Sequence, residues 1–230
     1  MQAYMRSTMP YLGVAAPPLR AATRELFRSV AFDGEPAWER TVRYLWDHAE
    51  FREERYAVIA LTGAAASRPY QTPGALGLYG DLISSGAWWD YVDELAVRRV
   101  GPILRAVPSR VGPVLRQWSR SDDLWRRRSA IIAQVGSKGA TDLELLAACI
   151  APTLDSPEFF LRKAIGWALR QEARFEPDWV RAFVEQYRER LSGLSRREAL
   201  KHLGGDRPTL RTRRRRSGPV TGAQGDARDR

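Results

Sequence analysis

Apolar residues recur at intervals of three and four along almost the whole chain, and no segment sustains the alternation of a strand. That spacing admits helices and little else. Pro17 and Pro18 open a helix expected to run to about Val30, and Pro36 opens one carrying Trp38, Val42, Leu45 and Trp46. A third helix is predicted from Phe51 to about Leu61, and a fourth ends near Ser84 after a Pro- and Gly-rich turn over residues 67–74. Gly86 is expected to break the chain there. Later segments carry start signals. Ser121-Asp122-Asp123 supplies a cap and two acids, and Thr141-Asp142-Leu143-Glu144 and Ser195-Arg196-Arg197-Glu198 match the capping box. Ser156-Pro157 reads as a cap followed by proline at the first helical position. Roughly a dozen short helices with short turns fit stacked helical pairs, an all-α solenoid over residues 1–206. Without a strict repeat consensus, a compact all-α bundle is the competing architecture.

The chain has 230 residues, enough for one sizeable core or one elongated array. Its 37 Lys and Arg against 27 Asp and Glu point to a polyanionic partner, with nucleic acid ahead of an acidic membrane surface. Eight Arg and two Asp between 207 and 230 account for +6 of the net +10, leaving +4 on residues 1–206. That last segment, with Arg213-Arg214-Arg215-Arg216 followed by Gly, Pro, Ala and Asp, reads as a disordered basic tail. The single Cys149 lies in an apolar run, which excludes a disulfide framework. With only His48 and His202 far apart in sequence, no Cys/His metal site is expected. No apolar stretch approaches the ~18 residues of a membrane span, and no signal-peptide pattern opens the chain. A soluble cytoplasmic protein without metal or cofactor is expected.

Four constellations bear on chemistry. In Trp88-Trp89-Asp90-Tyr91-Val92-Asp93, Trp89 and Asp93 stand four apart on one helical face. An aromatic wall beside a carboxylate can hold a cation and stabilise growing positive charge, although a buried Trp pair with a solvated Asp fits the same spacing. Among Trp125-Arg126-Arg127-Arg128, three consecutive arginines cannot share a face, so at least one is expected on the concave side, where Arg suits phosphate. In the stretch from Phe159 to Trp167, Phe160 and Trp167 share a face with Lys163 between them, and Phe159, Arg162 and Gly166 lie on adjacent rows. Such a helix could admit a nucleic-acid backbone or simply supply core aromatics. The segment from Met1 to Pro18, with Tyr4-Met5-Arg6 and Tyr11-Leu12-Gly13-Val14, is chemically unspecific.

These blocks, with Leu194-Ser195-Arg196-Arg197-Glu198-Ala199 near the end, resemble in order the AlkD-like family of DNA alkylation-repair glycosylases over roughly residues 4–203. The resemblance implies a superhelix of HEAT-like repeats with a concave, basic face for double-stranded DNA, acting as a monomer. It also implies hydrolytic excision of N3- and N7-alkylated purines, with Trp89, Asp93 and Trp167 forming the catalytic cleft. Arg128 would hold DNA backbone near the lesion, and Phe159 and Phe160 would sit at its edge. Arg162 and Lys163 are further expected phosphate contacts. In this family the base is not extruded into a tight pocket, unlike the usual glycosylase pattern. The alternatives are a non-catalytic helical-repeat module for DNA or protein, and a related glycosylase preferring 3-methyladenine. Truncation after Asp206 is expected to leave the far-UV helical signal and thermal midpoint intact while weakening non-specific duplex affinity, because a flexible +6 segment attracts any polyanion. A lowered midpoint would show that the segment is docked.

Overall fold

The computed structural model of the protein describes Met5 and residues 7–203; the Arg-rich segment 207–230 lies outside the described residues. Among these are twelve α-helices and no strand. They are α1 (Ala16–Leu26), α2 (Glu35–Asp47), α3 (Arg52–Thr62), α4 (Leu76–Gly86), α5 (Trp89–Leu95), α6 (Gly101–Ala106), α7 (Pro108–Trp118), α8 (Leu124–Ile132), α9 (Leu143–Ile150), α10 (Phe159–Glu172), α11 (Pro177–Gln186) and α12 (Gly193–Leu200). Each packs on helices close to it in sequence: α3 on α1 and α2, α5 on α4, α8 on α7, α11 on α12. The result is the all-α stack of helical repeats that the periodicity predicts.

Local signals fixed most helix starts, with three shifts. Asp123 caps α8, accepting hydrogen bonds from Trp125 N at 2.7 Å and Arg126 N at 3.2 Å. At α9 the cap is Asp142, not Thr141; its carboxylate accepts from Leu145 N at 2.9 Å. At α12 the cap is Ser192, three residues before the predicted one. Ser195 lies inside the helix and donates its hydroxyl to Arg162 O at 2.9 Å, tying α12 to α10. In α10 the helix starts at Phe159 rather than at Pro157, because Ser156 is engaged locally. Its hydroxyl accepts from Glu158 N, and its carbonyl accepts from Arg162 Nε at 2.9 Å.

Two apolar cores run through the stack. The first holds Trp38, Trp46, Tyr79, Tyr91, Val92, Leu95, Trp118 and Trp125. The second holds Ala96, Ile131, Ile132, Leu161, Ile165, Leu169 and Val180. Three helices bridge the seam. α8 sends Trp125 and Ala130 into the first core and Ile131 and Ile132 into the second. α10 fills the second core, while Phe160 at its start packs on the first. α5 lies in the first core and passes through a π-helical turn, Ala96–Val100, whose Ala96 belongs to the second. That wide turn aims Arg99 at the end of α3, where Nε donates to Thr62 Oγ1 at 2.9 Å and Nη2 to Ile59 O at 3.0 Å.

The entry to α5 is a forced turn. Gly86 does not break the chain; it ends α4, where a Cβ would lie 3.0 Å from the Trp46 indole, so its bareness serves packing. The left-handed conformation falls instead on Ala87, at φ 44° and ψ 34°. A left-handed alanine costs about 1–2 kcal/mol, so Ala87→Gly is expected to stabilise the fold by about 1 kcal/mol. At Gly101 the sign reverses. A Cβ there would stand 2.4 Å from the Ala133 carbonyl oxygen, a backbone atom of the packed α8 end, so Gly101→Ala should lose about 1–3 kcal/mol despite alanine's better helix propensity. Urea unfolding of both variants checks the pair; stabilisation by Gly101→Ala would contradict the packing described.

Candidate active site

Asp93 stands on the second turn of α5, at the seam. Facing it, Arg128 of α8 donates Nε to Oδ1 and Nη2 to Oδ2, each at 2.7 Å, in the planar two-pronged geometry that suits a guanidinium to a carboxylate. The third nitrogen, Nη1, donates to the Phe160 carbonyl at 2.7 Å. One side chain thereby links α5, α8 and the start of α10. Arg128 is sealed, with 6% of its side chain exposed, while Asp93 keeps 18% open to solvent. Burial pushes the Asp93 carboxyl above the ordinary aspartate range, Arg128 pulls part of that rise back, and the nearby Asp90 adds to it.

Beneath this pair lies an aromatic bed. The Phe160 ring packs 5.5 Å from Trp88 and 5.0 Å from Trp125, and the two tryptophans are 6.1 Å apart, centroid to centroid. The Trp88 indole nitrogen is buried with no hydrogen-bond partner. Trp88 is thus the wall residue of the Trp-Trp pair, and Trp89, 37% exposed, is the presented one.

The remaining sequence-predicted residues divide between surface and wall. Phe159 is 58% exposed, with its ring 5.5 Å from Phe160. Trp167, two turns along α10 from Phe160, is half-buried against the second core. Lys163 is paired with Glu198 at 3.2 Å and keeps 41% of its side chain exposed. Arg170 shares that carboxylate. Arg162 is half-buried and tethered through Nε to Ser156 O. Of the three consecutive arginines, Arg126 is held by Ser84 Oγ at 2.9 Å and Asp81 at 3.3 Å, and Arg128 by Asp93, while the Arg127 guanidinium has no hydrogen bond or ion pair among the described residues. Arg128, expected on the DNA backbone, is turned inward because the part-buried Asp93 carboxylate claims it.

Sequence reading missed a second assembly, one turn earlier on α5. Asp90 accepts Arg52 Nη2 at 2.8 and 2.7 Å and the Tyr56 hydroxyl. Beside Arg52, the buried Glu53 carboxylate accepts three successive backbone N–H groups, from Leu12 at 3.0 Å, Gly13 at 2.9 Å and Val14 at 3.1 Å. Gly13, at φ 85°, lets those amides converge on one anion. In sequence, Arg52-Glu53-Glu54-Arg55 stands at the start of the helix predicted from Phe51, with no motif to mark which of the four is buried. The available signal was the spacing of Arg52, Tyr56 and Ile59, which share one helical stripe with the core.

Among the described residues no three His, Cys, Asp or Glu side chains cluster as a metal site would require, and no helix is long and apolar enough to cross a membrane. No curated protein matches the chain in sequence. The fold is similar to that of a predicted DNA alkylation repair enzyme from Enterococcus faecalis, with TM-score 0.79 and 26% identity over 90% of this chain and 94% of that one. It is also similar to AlkD2 from Streptococcus mutans, with TM-score 0.64 and 15% identity over 88% and 97%. A family model described as DNA alkylation repair enzyme matches residues 1–203, the span of the helical array and of the Asp93 seam, and the chain therefore belongs to the DNA alkylation repair enzyme family, as its AlkD-like motifs imply.

Proposed function

We propose that the protein is a DNA glycosylase that hydrolyses the N-glycosidic bond of cationic N3- and N7-alkylpurines in duplex DNA, opening base excision repair. The observation that carries this reading is the Asp93 carboxylate, held flat by a buried guanidinium, open on one side, and one helical turn from exposed Trp89.

The chemistry follows from charge. Alkylation at N3 or N7 makes the purine a cation, so the electron pair of the C1′–N9 bond neutralises the base as it leaves, and no strong general acid is needed. The sugar becomes an oxocarbenium-like cation. A carboxylate beside it stabilises that charge and orients the water that adds to C1′, while the proton of that water passes to Asp93 or solvent. The faces of Trp89 and Trp167 attract the electron-poor sugar and base. Arg128 serves by fixing the carboxylate plane, and Phe160 by shaping the wall, while Phe159, Lys163 and Arg162 are the DNA contacts. Lys163, 41% exposed, can exchange Glu198 for phosphate because that carboxylate keeps Arg170 as its partner.

Asp93→Asn keeps the shape and removes the charge. Single-turnover release of 7-methylguanine and 3-methyladenine should fall by at least about a hundredfold, with duplex affinity held or tightened. In the wild type the rate should fall as pH drops through the Asp93 value, which lies above the ordinary aspartate range, because protonation discharges the group. Uracil and 8-oxoguanine should stay in place, and EDTA should change nothing. Wild-type rates in Asp93→Asn, efficient uracil release, or abolition by EDTA would overturn the mechanism; inactivity on both cationic purines would favour a binding module.

Arg128 and Lys163 are separated by a second measurement. Arg128→Met removes a cation that favours ionised Asp93, so the acid limb of the rate profile should move to higher pH. It also leaves a largely buried carboxylate unpaired, costing up to about 3–5 kcal/mol of stability. Its log-affinity against log-salt slope should stay at the wild-type value. Lys163→Ala should flatten that slope by about one unit. A flattened slope in Arg128→Met would return Arg128 to the phosphate role.

A further inference from the structure

α5 is the first seven residues of a helical run that continues through the π-helical turn Ala96–Val100 into α6, and it enters through a left-handed alanine and an extended Trp88. At this entry end its azimuth is fixed by contacts from neighbouring helices. Two carboxylates three residues apart do this from one side of the helix, each gripped by an arginine from a different neighbour: Asp93 by Arg128 of α8, and Asp90 by Arg52 of α3.

The second grip is the more enclosed. Arg52 keeps 5% and Asp90 13% of their side chains exposed. The guanidinium lies 4.2 Å from the Tyr91 ring centroid, and the Tyr91 hydroxyl donates back to the Arg52 carbonyl at 3.3 Å. Tyr56, its hydroxyl held protonated by burial and by Asp90, completes the carboxylate shell, and Asp90 Oδ1 also accepts Tyr91 N at 3.0 Å. Arg52 further reaches Ser7 Oγ at 3.3 Å, and its amide donates to Pro10 O at 3.0 Å, so the same residue anchors the segment before α1.

We propose that Asp90, clamped by Arg52 and Tyr56, is a positioning residue for Asp93, fixing where that carboxylate stands relative to the groove. The inference rests on reading Asp93 as the catalytic carboxylate. The groups acting on Asp93 are Arg128 from α8 and Asp90 from α5 itself; those acting on Asp90 are Arg52 and Tyr56 from α3. From α4, the element packed on the other side, Gly86 meets α5 at the Tyr91 ring.

The test uses the full chain, with folding confirmed by circular dichroism. Asp90→Asn, near-isosteric, should lower single-turnover release of 7-methylguanine about tenfold to a hundredfold, the scale of a sub-ångström to 1 Å misplacement, with duplex Kd within about twofold of wild type. Asp90→Glu should recover part of the rate. A second readout is independent of base release: the titration midpoint of the Asp93 carboxyl carbon by NMR, assigned by its loss in Asp93→Asn. Asp90→Asn removes a like charge and should move this midpoint down. Arg52→Met leaves Asp90 uncompensated and should move it up. If Arg52→Met does not fold, Asp90→Asn decides alone. An unchanged rate together with an unchanged midpoint in folded Asp90→Asn overturns the proposal, and so does a rate loss with an unmoved midpoint, since Asp90 would then only hold the fold. If wild type releases no base while the midpoints move as stated, the glycosylase reading falls, and the coupling of Asp90 to Asp93 stands without a role in that reaction.

Discussion

Taking a carboxylate out of water costs several kcal/mol, and a protein that does so must return that energy through geometry. Arg128 does this for Asp93 with two 2.7 Å bonds in one plane, and satisfies its own third nitrogen on a backbone carbonyl. Arg128 is sealed and hydrogen-bonded through all three guanidinium nitrogens, and Asp93 is paired on one side and open to solvent on the other. The pair sits where the two apolar cores meet and is reached by three helices, so the position of α5, α8 and the start of α10 relative to one another is written into one guanidinium. The open side of Asp93 is where solvent reaches the carboxylate.

A stacked array makes such a seam possible. Its contacts are mostly between helices near in sequence, so each unit is assembled locally, and a long-range polar link is needed only where units must be held at a defined angle. Three such links converge on α5: Arg128 over 35 residues, Arg52 over 38, and Arg99 from its π-helical extension back to the end of α3. Each of these arginines donates three bonds, Arg128 and Arg99 from all three guanidinium nitrogens and Arg52 from two, a spread that the single nitrogen of lysine could not reproduce. Several arginines of the described array thus serve internal joinery. The arginines of the folded array that hold carboxylates and carbonyls contribute less to a DNA-facing field than their number suggests.

Periodicity and proline placement made the helical array legible, because those signals are local: Pro36 before Trp38, Val42 and Trp46, or Asp123 before Trp125. The Trp-Trp-Asp block pointed to the candidate site for the same reason, since Trp89 and Asp93 are related by one helical turn. The caps at Thr141 and Ser195 were misplaced where a neighbouring residue competed, and Ser195 was drawn off by a tertiary bond to Arg162 O. What spacing could not reveal is which cation faces which carboxylate. Arg126, Arg127 and Arg128 are equivalent in sequence, and only the approach of α5 and α10 separates the buried one. Arg52 was hidden in the same way, inside a charged run whose buried members only the partner helix identifies. Gly86 misled for a related cause: its bareness was needed against Trp46, so the turn fell on Ala87.

The central claim is that Asp93 acts by charge on a cationic sugar. Duplexes carrying a pyrrolidine abasic nucleotide, cationic at neutral pH, and its neutral tetrahydrofuran counterpart differ chiefly in that charge. The wild-type protein is expected to bind the cationic duplex at least about tenfold more tightly than the neutral one, about 1.4 kcal/mol, and Asp93→Asn to lose the preference. An equal preference in both proteins would contradict the account.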